Sequence, residues 1–546
     1  MKKTLLLLLI IGLTLTVSSQ VLEKGRVVAG AERAFDKTAK AIAMPAPGCA
    51  VGVSLNGEPV FERAFGLAEM EHNIANTPLT IFESGSVAKQ FTAAALVLLQ
   101  QDGKLDLDDP VRKYIPELPE YGATLTIRHM LNHTAGLRDW GAVMSLTGAG
   151  RGDRVIGQDL AFDVMTSQKG LDFTPGAEYS YSNSGYNLAA VIIERVSQKK
   201  FPDFVAERLF KPLGMTNSTW RDDYQRIVPG RALAYSRQGA KAPWRLDMPF
   251  MNVYGNGGML TTVGDWLKWN AMLDTRSLGA SFVDELETQG VLNDGRKIPY
   301  ALGLRVSKYR DLPEVAHGGS TAGYQTFLVR YPKAKVSVAV MCNGTAPSAT
   351  SIARSVTDEI FGPFPPPVQP ESFNVPVDQL KKFVGLWRDE RTHTETRTTI
   401  DGGTLRVDGQ PLRPVADGVF AIGAAKLTFK IGSNGKPSYI EADQEGDVSR
   451  FILETEWKPT AAELAEFSGQ WYSEEAQAGI SFVVEGDKAH IFQRPKTNLP
   501  LTPLYKNHFS AGDRVIWFTR NTKGKIDKMH VGASRMRDMP FERVRK

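Results

Sequence analysis

Within IFESGSVAKQFTA, residues 81–93, a hydroxyl at Ser86 and an amine at Lys89 stand one helical turn apart, just after a Ser-Gly corner. A hydroxyl is a poor nucleophile until its proton is removed, and on a helix the side chain at i+3 lies over that at i, so the amine can reach it. The amine must be uncharged to accept a proton. The positive end of a helix disfavours an ammonium by about 0.3–1 kcal/mol, and burial lowers a lysine pKa by several units. Burial is the larger effect. The run SVAKQFTAAALVLLQQ is apolar on nearly every face and is halted at Gly103, so it supplies that burial. Spacing alone carries little, because a Ser-x-x-Lys pattern falls by chance about twice in a chain of this length. Ser197 with Lys200 and Ser433 with Lys436 fit it too, beside a helix end and in a hairpin turn, where a solvated ammonium keeps its charge.

Two further groups can join them. Tyr181-Ser182-Asn183 offers a phenol that acts as base, or as the acid that returns a proton to a leaving group, and an amide to position substrate or Lys89. His317-Gly318-Gly319, followed by Ser320, offers an imidazole and a glycine against which a substrate backbone can lie. Tyr-x-Asn recurs at Tyr254 and Tyr505, and His-x-Gly at His530, so each motif is weak by itself. Their order and context give them weight.

The elements that must hold these residues follow from patterning. Residues 26–44 predict a helix, and PGCAVGVSLNGEPVFERAFG predicts a hairpin turning at Asn56-Gly57. Short helical patterns fill residues 110–235. Strands return at YALGLRV, GYQTFLVRYP and KVSVAVMC, before a helix at SIARSVTDEIF. Strands, helices and strands again predict one sheet built from both ends of a domain around a helical insert. The proline density of residues 361–376 marks a linker. Beyond it, LKKFVGLW matches LAEFSGQW and FKIGSNGK matches FTRNTKGK, which predicts two copies of a small antiparallel β unit, residues 377–456 and 457–546. Trp387 and Trp471, in the repeated G-x-W, are expected to seal the barrel floors.

The chain has 546 residues, 42% hydrophobic and 23% charged, which describes globular protein of two to four folding units. Its start, MKKTLLLLLIIGLTLTVSSQ, reads as a secretory signal over residues 1–19, cleaved near Ser19. It is short for about 30 Å of hydrocarbon, so no stable membrane anchor is expected after cleavage. Losing Lys2 and Lys3 takes the formal charge from +5 to +3, and no basic run suits nucleic acid. Periplasmic or secreted placement follows. Cys49 and Cys342 fit two buried thiols or, in an oxidising compartment, one disulfide.

GSVAKQFTA, with PGCAVGV before it and LNHTAGL after it, resembles the serine β-lactamase and penicillin-binding-protein superfamily, in the class C-like branch that includes esterases and D-aminopeptidases. The likeness covers about residues 30–360, within a catalytic domain drawn at 20–360. It implies a multidomain chain: an α/β catalytic domain, with an antiparallel sheet flanked by helices and an all-helical subdomain, followed by two small lipocalin-like antiparallel β barrels. It implies catalytic Ser86, Lys89 and Tyr181, substrate-binding Asn183, His317, Gly319 and Ser320, and no metal or organic cofactor. The N–H groups of Ser86 and Ser320 would form an oxyanion hole, each such donor contributing about 3 kcal/mol to lowering the barrier. Penicillin-binding proteins and classical β-lactamases commonly carry Lys where this chain has His317, and a neutral imidazole is a weaker anion clamp, which counts against efficient β-lactam hydrolysis; His-x-Gly is instead similar to the esterase and D-aminopeptidase members. The expected function is acyl transfer through a Ser-Lys-Tyr acyl-enzyme on D-amino-acid-containing peptides or amides, of D-aminopeptidase or DD-peptidase type, or on esters, with small-molecule or peptide substrates that include peptidoglycan fragments. The competing reading is a catalytically weak penicillin-binding sensor of cell-wall ligands. His133, in LNHTAGL, is expected to fix a loop.

Overall fold

The computed structural model describes residues 22–148, 154–364, 373–423, 425–433, 435–444, 447–495 and 497–544. The expected signal, residues 1–19, lies outside them, as does the middle of the proline-rich segment. Helix α1 (Lys24–Lys40) precedes β1 (Cys49–Leu55) and β2 (Glu58–Phe65), whose turn residues Asn56 and Gly57 have φ of 54° and 83°. Two positive φ values in succession are what a two-residue hairpin matched to strand twist requires. Then come α2 (Lys89–Gln101), α3 (Trp140–Ser145), α4 (Ser184–Ser197) and α5 (Val263–Thr275). Strands β3 (Arg305–Tyr309), β4 (Leu312–Thr321), β5 (Tyr324–Tyr331) and β6 (Val336–Cys342) follow, then α6 (Ala349–Phe361). The sheet order is β3-β4-β5-β6-β1-β2, so strands from both ends of the domain do meet, at the β1/β6 pair. There Cys49 and Cys342 face each other in register and form a disulfide.

Each face of the sheet has its own core. Val27, Ala31 and Phe35 of α1 pack with Ile352, Val356 and Ile360 of α6 against one face. The helical subdomain packs on the other, with α2 at its centre: every residue from Lys89 to Leu99 is buried. The structure corrects the start of this helix. The α-helical pattern begins at Lys89, and Gly85–Ala88 before it is a 3₁₀ turn.

The C-terminal region holds two β units, each led by a helical turn and a strand carrying a buried tryptophan, as the repeat predicts. Trp387 donates to Thr398 Oγ1 at 2.8 Å and Trp471 to the Phe467 carbonyl at 3.2 Å, so both indoles are satisfied inside their cores. The first unit is a nine-stranded sheet whose two edge strands, Gln410–Pro411 and Arg413–Ala416, are joined through Leu412 and so bring the ring round nearly to closure. The second is a closed eight-stranded barrel with Phe467, Phe482, Phe509 and Phe518 at its centre. Among the described residues no helix is long and apolar enough to cross a membrane.

The second barrel is fastened to the helical subdomain. Val143 and Leu146 enter its hydrophobic core, Gln493 donates to the Leu146 carbonyl, and Arg138, 7% exposed, pairs with Glu475 at 2.6 Å. Between the two β units, Trp517 stacks on His393 at 4.4 Å and on His530 at 5.2 Å, with His508 stacked on His393 at 5.7 Å. Burial lowers the pKa of His393, and that of His508 to about 4. The folded chain therefore holds these rings neutral where the unfolded chain protonates them. Stability contributed by this contact is complete above the unfolded value of 6.5 and is lost as pH falls from there towards 4. His508 adds a slope of about 1.4 kcal/mol per pH unit within that window. Chemical denaturation at pH 7 and pH 5 is expected to show the loss, reduced in His508→Asn.

Candidate active site

The 3₁₀ turn explains how Ser86 and Lys89 meet, because side chains at i and i+3 eclipse in that geometry. Lys89 Nζ lies 3.2 Å from Ser86 Oγ, 2.9 Å from Asn183 Oδ1 and 2.8 Å from the Asn256 carbonyl. Lys89 is wholly buried, and that burial lowers its pKa well below the usual 10.5; the Asp139 carboxylate opposes the shift and Arg535 adds to it. A neutral amine has two N–H bonds and one lone pair. Asn183 Oδ1 and the Asn256 carbonyl can only accept, so they take both N–H bonds and leave the lone pair facing the Ser86 hydroxyl.

The orientation of Asn183 is fixed in turn. Its Nδ2 donates to Asp139 Oδ2 at 2.9 Å, and its backbone N–H to the same oxygen at 2.8 Å. Asp139 Oδ1 accepts from Gly141 and Ala142 and so caps α3. Because a carboxylate only accepts, the amide oxygen of Asn183 must turn toward Lys89. The Asn256 loop is pinned by Thr92 of α2, which donates to the Gly255 carbonyl at 2.7 Å, and by Asn187 of α4, which donates to the Tyr254 carbonyl at 2.7 Å.

Tyr181 precedes α4, with its ring centroid 4.9 Å from Lys89 Nζ and 4.1 Å from that of His133. Burial raises its pKa, opposed by the neighbouring Ser86 hydroxyl, so it rests as a phenol. His133 accepts from the Ser182 N–H at 3.2 Å and fixes the Tyr181 segment, as its place in the sequence suggests.

Strand β4 forms the opposite wall. Strand β3 pairs with residues 312–316 only, so among the described residues no strand pairs with the outer side of residues 317–321. That half of β4 is an edge lying against the Ser84-Gly85 corner. A Cβ on Gly85, whose φ is +51°, would sit 2.5 Å from Ser320 N, and one on Gly319 would sit 2.1 Å from the Ser84 carbonyl oxygen. Only glycine permits that approach at both positions. His317 Nδ1 donates to the Gly318 carbonyl at 2.6 Å, leaving Nε2 to accept from the Tyr300 hydroxyl at 2.8 Å. Burial, then Lys89, lowers its pKa to about 4. The ring is therefore neutral, with both nitrogens taken.

Ser86, Tyr181, Asn183, His317, Gly319 and Ser320 line one cleft of about 950 Å³, with Lys89 buried behind Ser86. All the residues picked from the motifs come together. Motif reading misses Asp139, Asn256 and Arg535. Asp139 shows only an ordinary helix-cap signal, Asn256 acts through a carbonyl that every residue has, and Arg535 comes from the second barrel.

A hydroxyl facing an amine lone pair, with a phenol and a glycine-lined strand edge around it, on a sheet joined to a helical subdomain, defines a serine hydrolase of β-lactamase fold. The Beta-lactamase family profile matches residues 35–361. The chain belongs to that family. It is 24% identical to a D-aminopeptidase of Gluconobacter oxydans, over 92% of this chain and 96% of that one. It is 25% identical to a D-aminopeptidase of Brucella anthropi, over 91% and 95%. Among solved structures it resembles the octameric penicillin-binding protein homologue of Pyrococcus abyssi, with TM-score 0.55 and 21% identity, over 87% of this chain and 99% of that one. A D-amino acid amidase of Ochrobactrum anthropi SV3, complexed with D-phenylalanine, superposes with TM-score 0.51 and 24% identity, over 62% and 97%.

Proposed function

We propose that the chain is an extracytoplasmic acyl-transfer hydrolase acting on D-amino-acid-containing peptides or amides, with Ser86 as nucleophile. The single observation that carries it is the placement of Lys89 Nζ 3.2 Å from Ser86 Oγ, between two oxygens that can only accept. Lys89 takes the hydroxyl proton as Ser86 Oγ bonds to the scissile carbonyl carbon. The carbonyl oxygen takes up the charge against the N–H groups of Ser86 and Ser320. Tyr181, held protonated, gives its proton to the departing nitrogen and is reprotonated by the Lys89 ammonium. Water then attacks the acyl-enzyme by the reverse route and frees Ser86. Asn183 holds Lys89, and His317 shapes the strand edge against which substrate lies. The D-aminopeptidase relatives, which run nearly the length of this chain, support the substrate class. The leader-like start and the Cys49–Cys342 disulfide support placement outside the cytoplasm.

Fluorophosphonate labelling, located by peptide mass, tests the nucleophile: one label on Ser86 is expected. With D- and L-aminoacyl p-nitroanilides, D-Ala-D-Ala peptides and p-nitrophenyl esters, turnover of D-configured substrates should exceed that of L-configured ones. Labelling elsewhere, or equal turnover of both configurations, overturns the proposal. Labelled Ser86 with no turnover of any substrate turns the reading to a cell-wall sensor.

A further inference from the structure

The cleft is lined by more positive charge than its own side chains neutralise. Arg535 stands in the turn between two strands of the second barrel, β7 (Ile526–Ala533) and β8 (Met536–Arg543), with its guanidinium carbon 4.9 Å from the Tyr181 ring centroid. Its carbonyl accepts from the Asp139 N–H at 2.9 Å, which fixes the turn over the site, while its side chain is exposed. Among the described residues it has no carboxylate partner. Arg514, from the same barrel, donates to Gln493 Oε1, the Ser145 carbonyl and Ser145 Oγ, all uncharged, with Asp513 beside it.

The acidic groups of the inner cleft are spent. Each Asp139 oxygen takes two N–H bonds, and Glu83, fully buried, is held by Arg221 and Arg231. His317, on the strand edge, is uncharged. Among the described residues the one further carboxylate lining the cleft is Asp513, beside Arg514, whereas a substrate carboxylate meets Arg535, which has no carboxylate partner.

We infer that the substrate carries a free carboxylate on its departing residue, and that Arg535 is the side chain that selects for it. Arg535 sits against Tyr181, the proton donor to the leaving group in the reading above, so the carboxylate it binds belongs to the leaving side. The inference rests on that reading and narrows it. It also makes the second barrel part of substrate recognition, restoring from outside the catalytic domain the anion clamp that His317 does not provide. A planar guanidinium suits this task, because it grips a carboxylate through two parallel hydrogen bonds.

The test compares N-acetyl-D-Ala-D-Ala with its C-terminal amide, which differ in that charge alone. Both are measured as substrates by kcat/KM and as protectants of Ser86 against fluorophosphonate, using the full chain. The free acid is expected to win by at least about tenfold, the scale of one charge-assisted contact. The ratio should shrink as salt rises. It should collapse toward unity in Arg535→Gln, survive in part in Arg535→Lys and invert in Arg535→Glu. The exposed side chain leaves the backbone contact to Asp139 intact, so these variants should fold. Equal handling of acid and amide by the unaltered chain, or a ratio preserved in Arg535→Gln, overturns the selection and leaves the acyl-enzyme reading standing. Failure of Ser86 to label removes the acyl-enzyme reading and this inference together.

Discussion

Lys89→Met is expected to lower kcat/KM by about 10⁴-fold, the order lost when a group that activates a catalytic hydroxyl is removed. Methionine keeps the length and the helical preference of lysine at the first residue of α2, so the fold should persist. What disappears is the lone pair directed at Ser86 Oγ. Asn183 Oδ1 and the Asn256 carbonyl also lose their donor, at about 1–3 kcal/mol each, so a lower melting temperature is expected as well. Fluorophosphonate labelling of Ser86 should slow by a similar factor, since both reactions need the proton removed. Lys89→Arg should do no better, because a guanidinium stays charged. The pH profile carries the sign. The neutral amine is the active form, so activity rises with pH through the folded pKa of Lys89. Burial, the largest cause, holds that pKa well below 10.5, and the plateau comes correspondingly early. In Lys89→Met this acid limb should vanish. A variant retaining a tenth of the original rate would end the assignment of Lys89 as base.

Asp139→Asn is expected to cost about 10²-fold in kcat/KM, because misplacing a catalytic group by about an ångström has that effect. The carboxylate offers two oxygens to four N–H donors, and an asparagine offers one oxygen and two further donors. Either the cap of α3 or the grip on Asn183 must fail. Losing a cap and stranding buried donors together should lower unfolding free energy by about 2–4 kcal/mol, read by urea titration. A second readout separates chemistry from damage. The Asp139 charge raises the pKa of Lys89, so its removal should move the acid limb to lower pH even as the plateau falls. An unmoved limb with kcat/KM within threefold would show that Asn183 keeps its orientation by other means.

The features legible in the sequence are local ones. Asn56-Gly57 dictates its hairpin because only the left-handed region matches the strand twist there, and the apolar surround of Lys89 announces that its amine will be desolvated. The Ser86, Tyr181 and His317 motifs could be ranked above their chance copies because each lies at the start of a helix or on a strand. The G-x-W duplication marks two β units, each built round a tryptophan. Contacts between distant segments leave no such trace. The cysteines were open between thiols and a disulfide until β1 and β6 paired with Cys49 opposite Cys342. The nine strands of one β unit and eight of the other depend on how each sheet closes, which the repeat does not encode.

By itself, then, the chain's sequence determined which side chains could react, because nucleophile, base and local burial are properties of neighbouring residues. Tertiary structure alone decided which way the lone pair of Lys89 points, through Asp139 and Asn256. It also decided what charge the cleft shows a substrate, through an arginine several hundred residues away from Tyr181 along the chain. Hydrogen-bond direction and electrostatic field depend on distance in space, and only the folded arrangement of three separate units sets those distances.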